Sequence, residues 1–123
     1  MSTIKRGDII YVSETRIKPH GSVIYGDRPA IVVQNDVGNQ HSDNLIVALM
    51  TSKIKRLDMP THVLLQWYEG LWKTSMVEAE QIRTISKDDV VAVIDHLREE
   101  DIIRVDRALL ASLAIGEVSV CRQ

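Results

Sequence analysis

The segment RPAIVVQNDVGN, residues 28–39, decides the fold of this chain. Its apolar, β-branched run AIVVQ, residues 30–34, is typical of a buried strand. The Asn, Asp and Gly residues that follow tolerate left-handed backbone and predict a structural turn over residues 34–39. Arg28 stands directly before the strand, and Pro29 fixes the backbone where the strand begins. The segment therefore predicts a strand with a charged residue at its entrance and a turn at its exit.

Short segments of the same kind lie on either side of it. They are rich in Ile, Val and Tyr, and Gly, Pro, Asn or Asp bound them, which is the usual pattern of strands between turns. Consecutive apolar residues indicate burial on both faces. Many short strands at close spacing predict a small barrel or sandwich. The predicted strands are DIIYVS (8–13), LIVALMT (45–51), THVLLQW (61–67), TSMVEAE (74–80) and QIRTI (81–85).

The last third of the chain predicts helical structure in two places. Ser86 followed by two aspartates indicates a single helical turn, and the β-branched residues 90–94 indicate a strand after it. Acidic residues 99–101 favour a helix N-terminus, and Gly116 would end that helix. Its apolar stripe is wide enough for the helix to pack against the barrel or a partner. The stripe comprises Ile102, Ile103, Val105, Leu109, Leu110, Leu113 and Ala114.

Length and composition limit the possible classes of protein. With 123 residues, 45% hydrophobic and 26% charged, the chain is predicted to form one globular domain over residues 1–123. A single cysteine leaves no disulfide framework within one chain, and the first ten residues hold no apolar signal segment. The longest apolar run, residues 45–50, is too short to span a bilayer. We expect a cytoplasmic protein with no membrane partner.

Charge is unevenly distributed along the chain. The net charge is −2, but residues 1–60 carry eight Lys/Arg against six Asp/Glu, whereas residues 61–123 carry seven against eleven. Thr51 and Ser52 end a predicted strand directly before the basic run KIKR, residues 53–56. Hydroxyls and cations at a strand exit suit a phosphate. Arg28 could stabilise charge on a phosphoryl oxygen, or it could simply pair with a neighbouring carboxylate.

The usual signatures of other enzyme classes are missing from the sequence. The four histidines have no HxxxH or HExxH spacing, and no GxSxG, GxxxxGK[ST] or GxGxxG motif occurs. We therefore expect no metal site and no cofactor.

Several ordered motifs together resemble the MazF/PemK family of toxin endoribonucleases from bacterial toxin-antitoxin pairs. The resemblance implies an SH3-like β-barrel with a C-terminal helix that works as a homodimer. It also implies sequence-specific, metal-independent cleavage of single-stranded RNA, and inhibition by a cognate antitoxin. The motifs are RGDIIYV (6–12), GDRPAIVVQNDVGN (26–39), LIVALMTSKI (45–54), PTHVLL (60–65), EQIRTISK (80–87) and VDRALLASLAI (105–115).

The resemblance also implies site residues. Arg28 and Thr51 match the catalytic positions of the RP and TS motifs, and the attacking nucleophile would be the 2′-hydroxyl of the RNA, which leaves a 2′,3′-cyclic phosphate and a 5′-hydroxyl. The expected RNA contacts involve phosphate, base edges or base stacking. They are Ser52, Lys53, Glu80, Gln81 and Tyr25.

The loop before Arg28 departs from the family. It reads GSVIYGDRP, residues 21–29, so that Val23 and Ile24 stand where many members carry Glu and Gln. Neither side chain can move a proton. The general base would then come from elsewhere, or catalysis would rely on positioning and charge stabilisation. The alternative function is a barrel without nuclease activity that only binds an antitoxin or another protein. The candidate bases are His20, Tyr25, Asp27 and Glu80.

Most of the aromatic residues fall in one segment, QWYEGLW, residues 66–72. Trp67, Tyr68 and Trp72 can stack nucleobases, or they can pack at a barrel edge or a dimer contact. We interpret them as barrel-edge or dimer-contact residues.

Overall fold

A computed structural model describes residues 3–13, 21 and 26–116. Six strands form one antiparallel sheet in the order β4-β5-β3-β2-β1-β6, and a C-terminal helix packs on it. The expected mainly β, barrel-like architecture is confirmed. Within the described ranges β4 and β6 remain separate edges, so the barrel is not closed. The elements are β1 Asp8–Val12, β2 Arg28–Val32, α1 Asp36–His41, β3 Asn44–Thr51, β4 His62–Leu65, β5 Ser75–Ser86, a 3₁₀ turn Lys87–Asp89, β6 Val90–His96 and α2 Glu99–Leu113.

The core lies on both faces of the sheet. Successive residues of a strand point to opposite faces. Ile9 and Ile31 therefore belong to one cluster, which also contains Val105 of α2, whereas Ile10 and Ala30 belong to a second. This arrangement explains why β1, β2 and β3 read as continuous apolar runs, and it confirms the predicted burial on both faces.

A bulge interrupts the register of β5. The two strands predicted for residues 74–80 and 81–85 form one continuous strand of 12 residues, so the predicted break between Glu80 and Gln81 is wrong. Ala48 pairs with Ile82, but Leu49 pairs with Glu78 instead of the expected Gln81. The additional residues on β5 increase the local twist and bend the strand.

The predicted turn after β2 is a short helix, so that prediction is wrong. Asn35 caps α1, because its side chain accepts a hydrogen bond of 2.8 Å from the backbone N–H of Gly38. Asn39 is buried, and its Nδ2 donates to the carbonyl of Gln34 at 2.9 Å. Asn and Asp favour helix N-caps for the same reason that they favour turns, since their side chains bond nearby backbone N–H groups.

The single helical turn predicted after Ser86 is confirmed. The Ser86 hydroxyl accepts from the backbone N–H of Asp88 at 3.1 Å, and the 3₁₀ turn leads directly into β6. Helix α2 begins with the expected acidic residues but ends at Leu113, because Ala114 adopts the left-handed conformation with φ of 55°. Gly116 lies beyond this end. In the described part of the chain, no helix is long and apolar enough to cross a membrane.

A buried tyrosine joins the start of α2 to the connection between β4 and β5. The Tyr68 hydroxyl donates to Asp101 Oδ2 at 2.6 Å and accepts from the backbone N–H of Arg98 at 2.9 Å. Burial and the Asp101 carboxylate raise the pKa of Tyr68 to about 12. The Arg98 guanidinium lies 4.0 Å from the centre of the Tyr68 ring. These contacts hold the segment that contains Trp67 and Trp72.

Candidate functional site

A cavity of about 630 Å³ opens where β2 and β3 meet the connection between β4 and β5. Its volume lies in the range of small-molecule sites, roughly 300–1,000 Å³. We call it the Arg28 cavity. Its lining residues are Tyr11, Asp27, Arg28, Pro29, Met50, Thr51, Ser52, Lys53, Gly70, Leu71, Trp72, Lys73, Ser75 and Ile94.

Strand register brings Arg28 next to Thr51. Ala30 of β2 pairs with Leu49 of β3, and extending this antiparallel register by two residues places Arg28 opposite Thr51. Arg28 Nη1 donates to the Met50 carbonyl at 3.2 Å, which holds the guanidinium beside the end of β3. The structure thus brings together the two residues expected to be catalytic, while their catalytic roles stay predictions.

The exit of β3 presents hydroxyls and a cation to the cavity. Thr51 Oγ1 accepts a hydrogen bond of 3.1 Å from the backbone N–H of Lys53, which fixes the oxygen in this turn, and a hydroxyl that accepts one bond can still donate another. Ser52 and Lys53 are exposed and line the cavity, and so does Lys73 from the opposite wall. The residues that line the cavity thus include three cationic side chains, Arg28, Lys53 and Lys73, but only one acidic side chain. This balance favours an anionic ligand.

Asp27 is that acidic side chain. Its Oδ1 accepts a hydrogen bond of 2.9 Å from the Ser13 hydroxyl, which orients the carboxylate. Among the four candidate bases, Asp27 is the one that the described structure places in the Arg28 cavity. His20 and Tyr25 lie outside the described residues, and the expected stacking role of Tyr25 lies there too.

Glu80 and Gln81 are located at the bulge of β5 and do not line the Arg28 cavity. Glu80 Oε2 lies 2.8 Å from His62 Nε2 on the neighbouring strand β4. Their expected contacts with base edges therefore stay predictions. Any such contact would be made outside the cavity that holds Arg28 and Thr51.

His62 has an acceptor at each ring nitrogen. Its Nε2 faces Glu80, and its Nδ1 lies 2.9 Å from the Arg56 carbonyl oxygen. Burial lowers the pKa of His62, but the hydrogen bonds to Glu80 and to the Arg56 carbonyl together outweigh burial and raise it above 6.5. Burial raises the pKa of Glu80, but the hydrogen bonds from His62, from the backbone and from Thr61, together with the charge of His62, outweigh burial and lower that pKa overall.

One group of potential metal ligands occurs among the described residues. Ligand atoms of His62, Glu78 and Glu80 lie within 4.8 Å of one another. A histidine must be neutral at the nitrogen that binds a metal. His62 Nε2 lies 2.8 Å from Glu80 Oε2 and 3.9 Å from Glu78 Oε1, which is also the geometry of an ion pair, and we interpret the group as one.

The His62–Glu80 pair should stabilise the fold in a limited pH window. A raised histidine pKa contributes stability below about pH 6.5 that is lost as pH rises through the folded value, and a lowered glutamate pKa contributes above about pH 4.5. Glu80→Gln should therefore lower the free energy of unfolding most between about pH 4.5 and about pH 6.5. The loss should be at most about 1 kcal/mol, because the Glu80 side chain is 40% exposed and solvent screens the pair. Urea unfolding at several pH values measures it.

The matched control for that series is Glu69→Gln, a second exposed glutamate outside the pair. Its free energy of unfolding should follow the wild type at every pH. A Glu80→Gln difference that grows steadily above pH 8 would contradict the proposed ionisation of His62.

Reasoning from the sequence missed several residues that line the Arg28 cavity. Trp72 and Lys73 are adjacent in the sequence, and an aromatic residue beside a basic one is typical of nucleic-acid contacts. The interpretation of Trp72 as a barrel-edge or dimer-contact residue did not use this signal. The structure places Tyr68 in the core, where it is 6% exposed, and not at an edge of the barrel. Trp67 and Trp72 are 86% and 98% exposed, so among the described residues nothing covers either indole.

Sequence comparison gives two clear relationships. Residues 5–113 match the family described as "PemK-like, MazF-like toxin of type II toxin-antitoxin system". The chain is also 40% identical over 113 residues to Endoribonuclease EndoA of Bacillus subtilis strain 168, which covers 91% of this chain and 96% of that protein.

Solved structures share the fold. MazF (Form-I) from Deinococcus radiodurans superposes with a TM-score of 0.78 at 19% identity, over 94% of this chain and all of that one. An endoribonuclease in complex with its cognate antitoxin from Mycobacterial species has a TM-score of 0.76 at 21% identity, over 92% and 97% of the two chains. The barrel-like arrangement with a C-terminal helix is therefore common to all three chains.

Proposed function

The chain belongs to the family of PemK-like, MazF-like toxins of type II toxin-antitoxin systems, and we propose that it cleaves single-stranded RNA in the Arg28 cavity without a metal ion. It is an endoribonuclease toxin, as its 40% identity to EndoA supports. The observation that carries the proposed site is the Arg28 guanidinium, held on the Met50 carbonyl beside Thr51 in a cavity rich in cations.

The proposed reaction is an internal transesterification of the RNA. The 2′-oxygen forms a bond to phosphorus while the bond from phosphorus to the 5′-oxygen breaks, which yields a 2′,3′-cyclic phosphate and a 5′-hydroxyl. Negative charge grows on the non-bridging oxygens in the transition state. The guanidinium of Arg28 stabilises that charge, and the Thr51 hydroxyl donates a hydrogen bond to the same phosphate. Ser52 and Lys53 hold the neighbouring backbone.

Proton transfer in this proposal begins at Asp27. Its carboxylate lines the cavity next to Arg28 and is oriented by Ser13, so it can accept the 2′-hydroxyl proton. The leaving 5′-oxygen takes a proton from a water molecule or from the Arg28 guanidinium. Asp27 thus replaces the proton-transfer group that Val23 and Ile24 cannot supply.

We also propose that the protein works in the cytoplasm as a homodimer and is inhibited by a cognate antitoxin. The similarity to a solved endoribonuclease bound to its cognate antitoxin supports a partner of that class. Exposed apolar residues on and after α2 offer surface for a protein contact. They are Ile103, Leu110, Leu113 and Ile115.

A second candidate function is a barrel that binds a protein partner without cleaving RNA. Val23 and Ile24 favour it, because the loop before Arg28 lacks the acid that many family members carry. RNA binding without any cleavage product would select this alternative.

Cleavage should persist in excess EDTA. Purified protein incubated with a long single-stranded RNA should give discrete fragments, because none of the proposed steps uses a metal. The fragments should carry 5′-hydroxyl ends that polynucleotide kinase can label and 3′ ends that resist tailing until the cyclic phosphate is removed. Mapping the 5′ ends would also give the cleavage sequence.

The control for this experiment is the same RNA in a double-stranded form, which should remain intact. Loss of cleavage in EDTA with recovery on added Mg²⁺ would show that the metal-independent mechanism is wrong.

A further inference from the structure

Two exposed tryptophans border a second cavity beside the first. Trp67 and Trp72 line a cleft of about 200 Å³ together with Lys73, between β4 and the start of β5. We call it the tryptophan cleft. Tryptophan is usually well buried, so side chains that are 86% and 98% exposed require an explanation. The residues that complete the lining are Leu65, Tyr68, Leu71 and Thr74.

The fold holds Trp67 in this position by several hydrogen bonds. Its backbone has φ of 67°, a left-handed conformation that is unfavourable for a bulky residue and that surrounding contacts must maintain. Arg98 provides them, because Nη1 donates to the Trp67 carbonyl at 3.1 Å and Nη2 donates to the Gln66 carbonyl at 2.7 Å. The same guanidinium lies over the ring of the buried Tyr68. The indole is thus presented to solvent from a well-supported backbone.

The tryptophan cleft is continuous with the Arg28 cavity. Trp72 and Lys73 line both cavities. An RNA strand that extends from Arg28 along this wall would therefore meet the indoles of Trp72 and Trp67. A planar aromatic face beside an ammonium group suits a nucleotide, since the base stacks on the ring and the cation neutralises the phosphate. An apolar peptide could pack on the methylene stem of Lys73, but it would offer no anion to the Lys73 ammonium.

We propose that the tryptophan cleft is a nucleobase subsite, in which an unpaired base next to the scissile step stacks on Trp72 and Lys73 contacts its phosphate. Trp67 forms the second wall of the subsite. The inference rests on the proposed function, because it assumes that RNA crosses the Arg28 cavity. Every base has an aromatic face, so the subsite adds affinity without selecting a sequence.

Intrinsic fluorescence can test this subsite directly. The chain contains two tryptophans, Trp67 and Trp72, so its tryptophan emission reports on the cleft alone. A random-sequence dodecamer of 2′-O-methyl RNA, which lacks the attacking hydroxyl, should quench that emission on titration. Trp72→Phe should keep most of the affinity, with Trp67 as the reporter, whereas Trp72→Ala should weaken binding about tenfold.

Steady-state cleavage of a long RNA provides the second measurement. Trp72→Ala should raise KM about tenfold and change kcat by less than about twofold, because stacking binds substrate and transition state alike. Trp72→Phe should restore KM. Val37→Ala, which shortens an apolar side chain 72% exposed on α1, is the matched control and should leave both constants unchanged.

The outcomes separate the two proposals. If the wild type does not cleave RNA, the proposed function fails, and the quenching titration still decides whether the cleft binds RNA. If the wild type cleaves, but emission is unchanged and Trp72→Ala keeps its KM, the subsite is wrong and the function stands. Emission that responds to a cognate antitoxin and not to RNA would assign the cleft to a protein partner and overturn the proposal.

Discussion

Arg28→Ala is expected to slow RNA cleavage by about 10³-fold or more, the loss seen when a group that stabilises transition-state charge is removed. Arg28 Nη1 already donates to the Met50 carbonyl, so the guanidinium is positioned before substrate binds. An alanine leaves the growing charge on the phosphate without its principal cation. Single-turnover cleavage at saturating RNA measures this loss on the chemical step.

Two further variants make the result specific. Arg28→Lys keeps the charge but loses the planar fork, so it should recover only part of the rate. Arg107→Ala removes an exposed arginine of α2 that lies outside the cavity, and it should cleave at the wild-type rate. An Arg28→Ala protein that is folded and cleaves within about tenfold of the wild type would show that charge stabilisation by Arg28 is not the basis of catalysis.

The strands were predictable because their signals are local. Ile9 and Ile10 are both buried, and a run of such residues indicates a strand covered on both faces whatever the rest of the chain does. Arg28 and Thr51 were predictable as neighbours for a related reason, since Arg28 begins one strand, Thr51 ends the next, and these two ends meet when the strands pair antiparallel. The short helix α1 was not, because Asn35 caps a helix with the same side-chain bond that closes a turn.

The far wall of the cavity was not predictable because it depends on tertiary contacts. Trp72 and Lys73 follow a connection whose path is set by the bonds of Tyr68 and Arg98 to residues about 30 positions away in the chain. No local pattern encodes these contacts. The exposure of Trp72 and its proximity to Arg28 therefore became evident only in the folded chain.

Gly70→Ala is expected to lower the free energy of unfolding by about 3 kcal/mol, the upper part of the usual cost of overpacking. An added Cβ would collide with the carbonyl oxygen of Ile94 and lie 2.7 Å from its carbonyl carbon. The obstacle is the backbone of β6 at Ile94, which the β1–β6 register skips, and its neighbours Val93 and Asp95 are both paired with β1, so the Ile94 carbonyl can shift only by disturbing those pairs. The variant should also lose the bond from the Gly70 N–H to Asp95. Urea unfolding measures the change.

Gly38→Ala is the matched control, because it adds the same methyl group at 3.0–3.2 Å from the side chain of Gln34 and not against a backbone. The Gln34 amide donates to Asn39 and to the Asn44 carbonyl, but it needs to shift by only a few tenths of an ångström. Within α1 an alanine gains up to about 1 kcal/mol of helix propensity, so Gly38→Ala should unfold near the wild-type midpoint. Gly70 and Ile94 both line the Arg28 cavity, and a displaced β6 should therefore reduce cleavage as well as stability. If Gly70→Ala has the wild-type free energy of unfolding and the wild-type cleavage rate, β6 shifts at little cost. It then cannot be a rigid wall on which the Arg28 cavity depends.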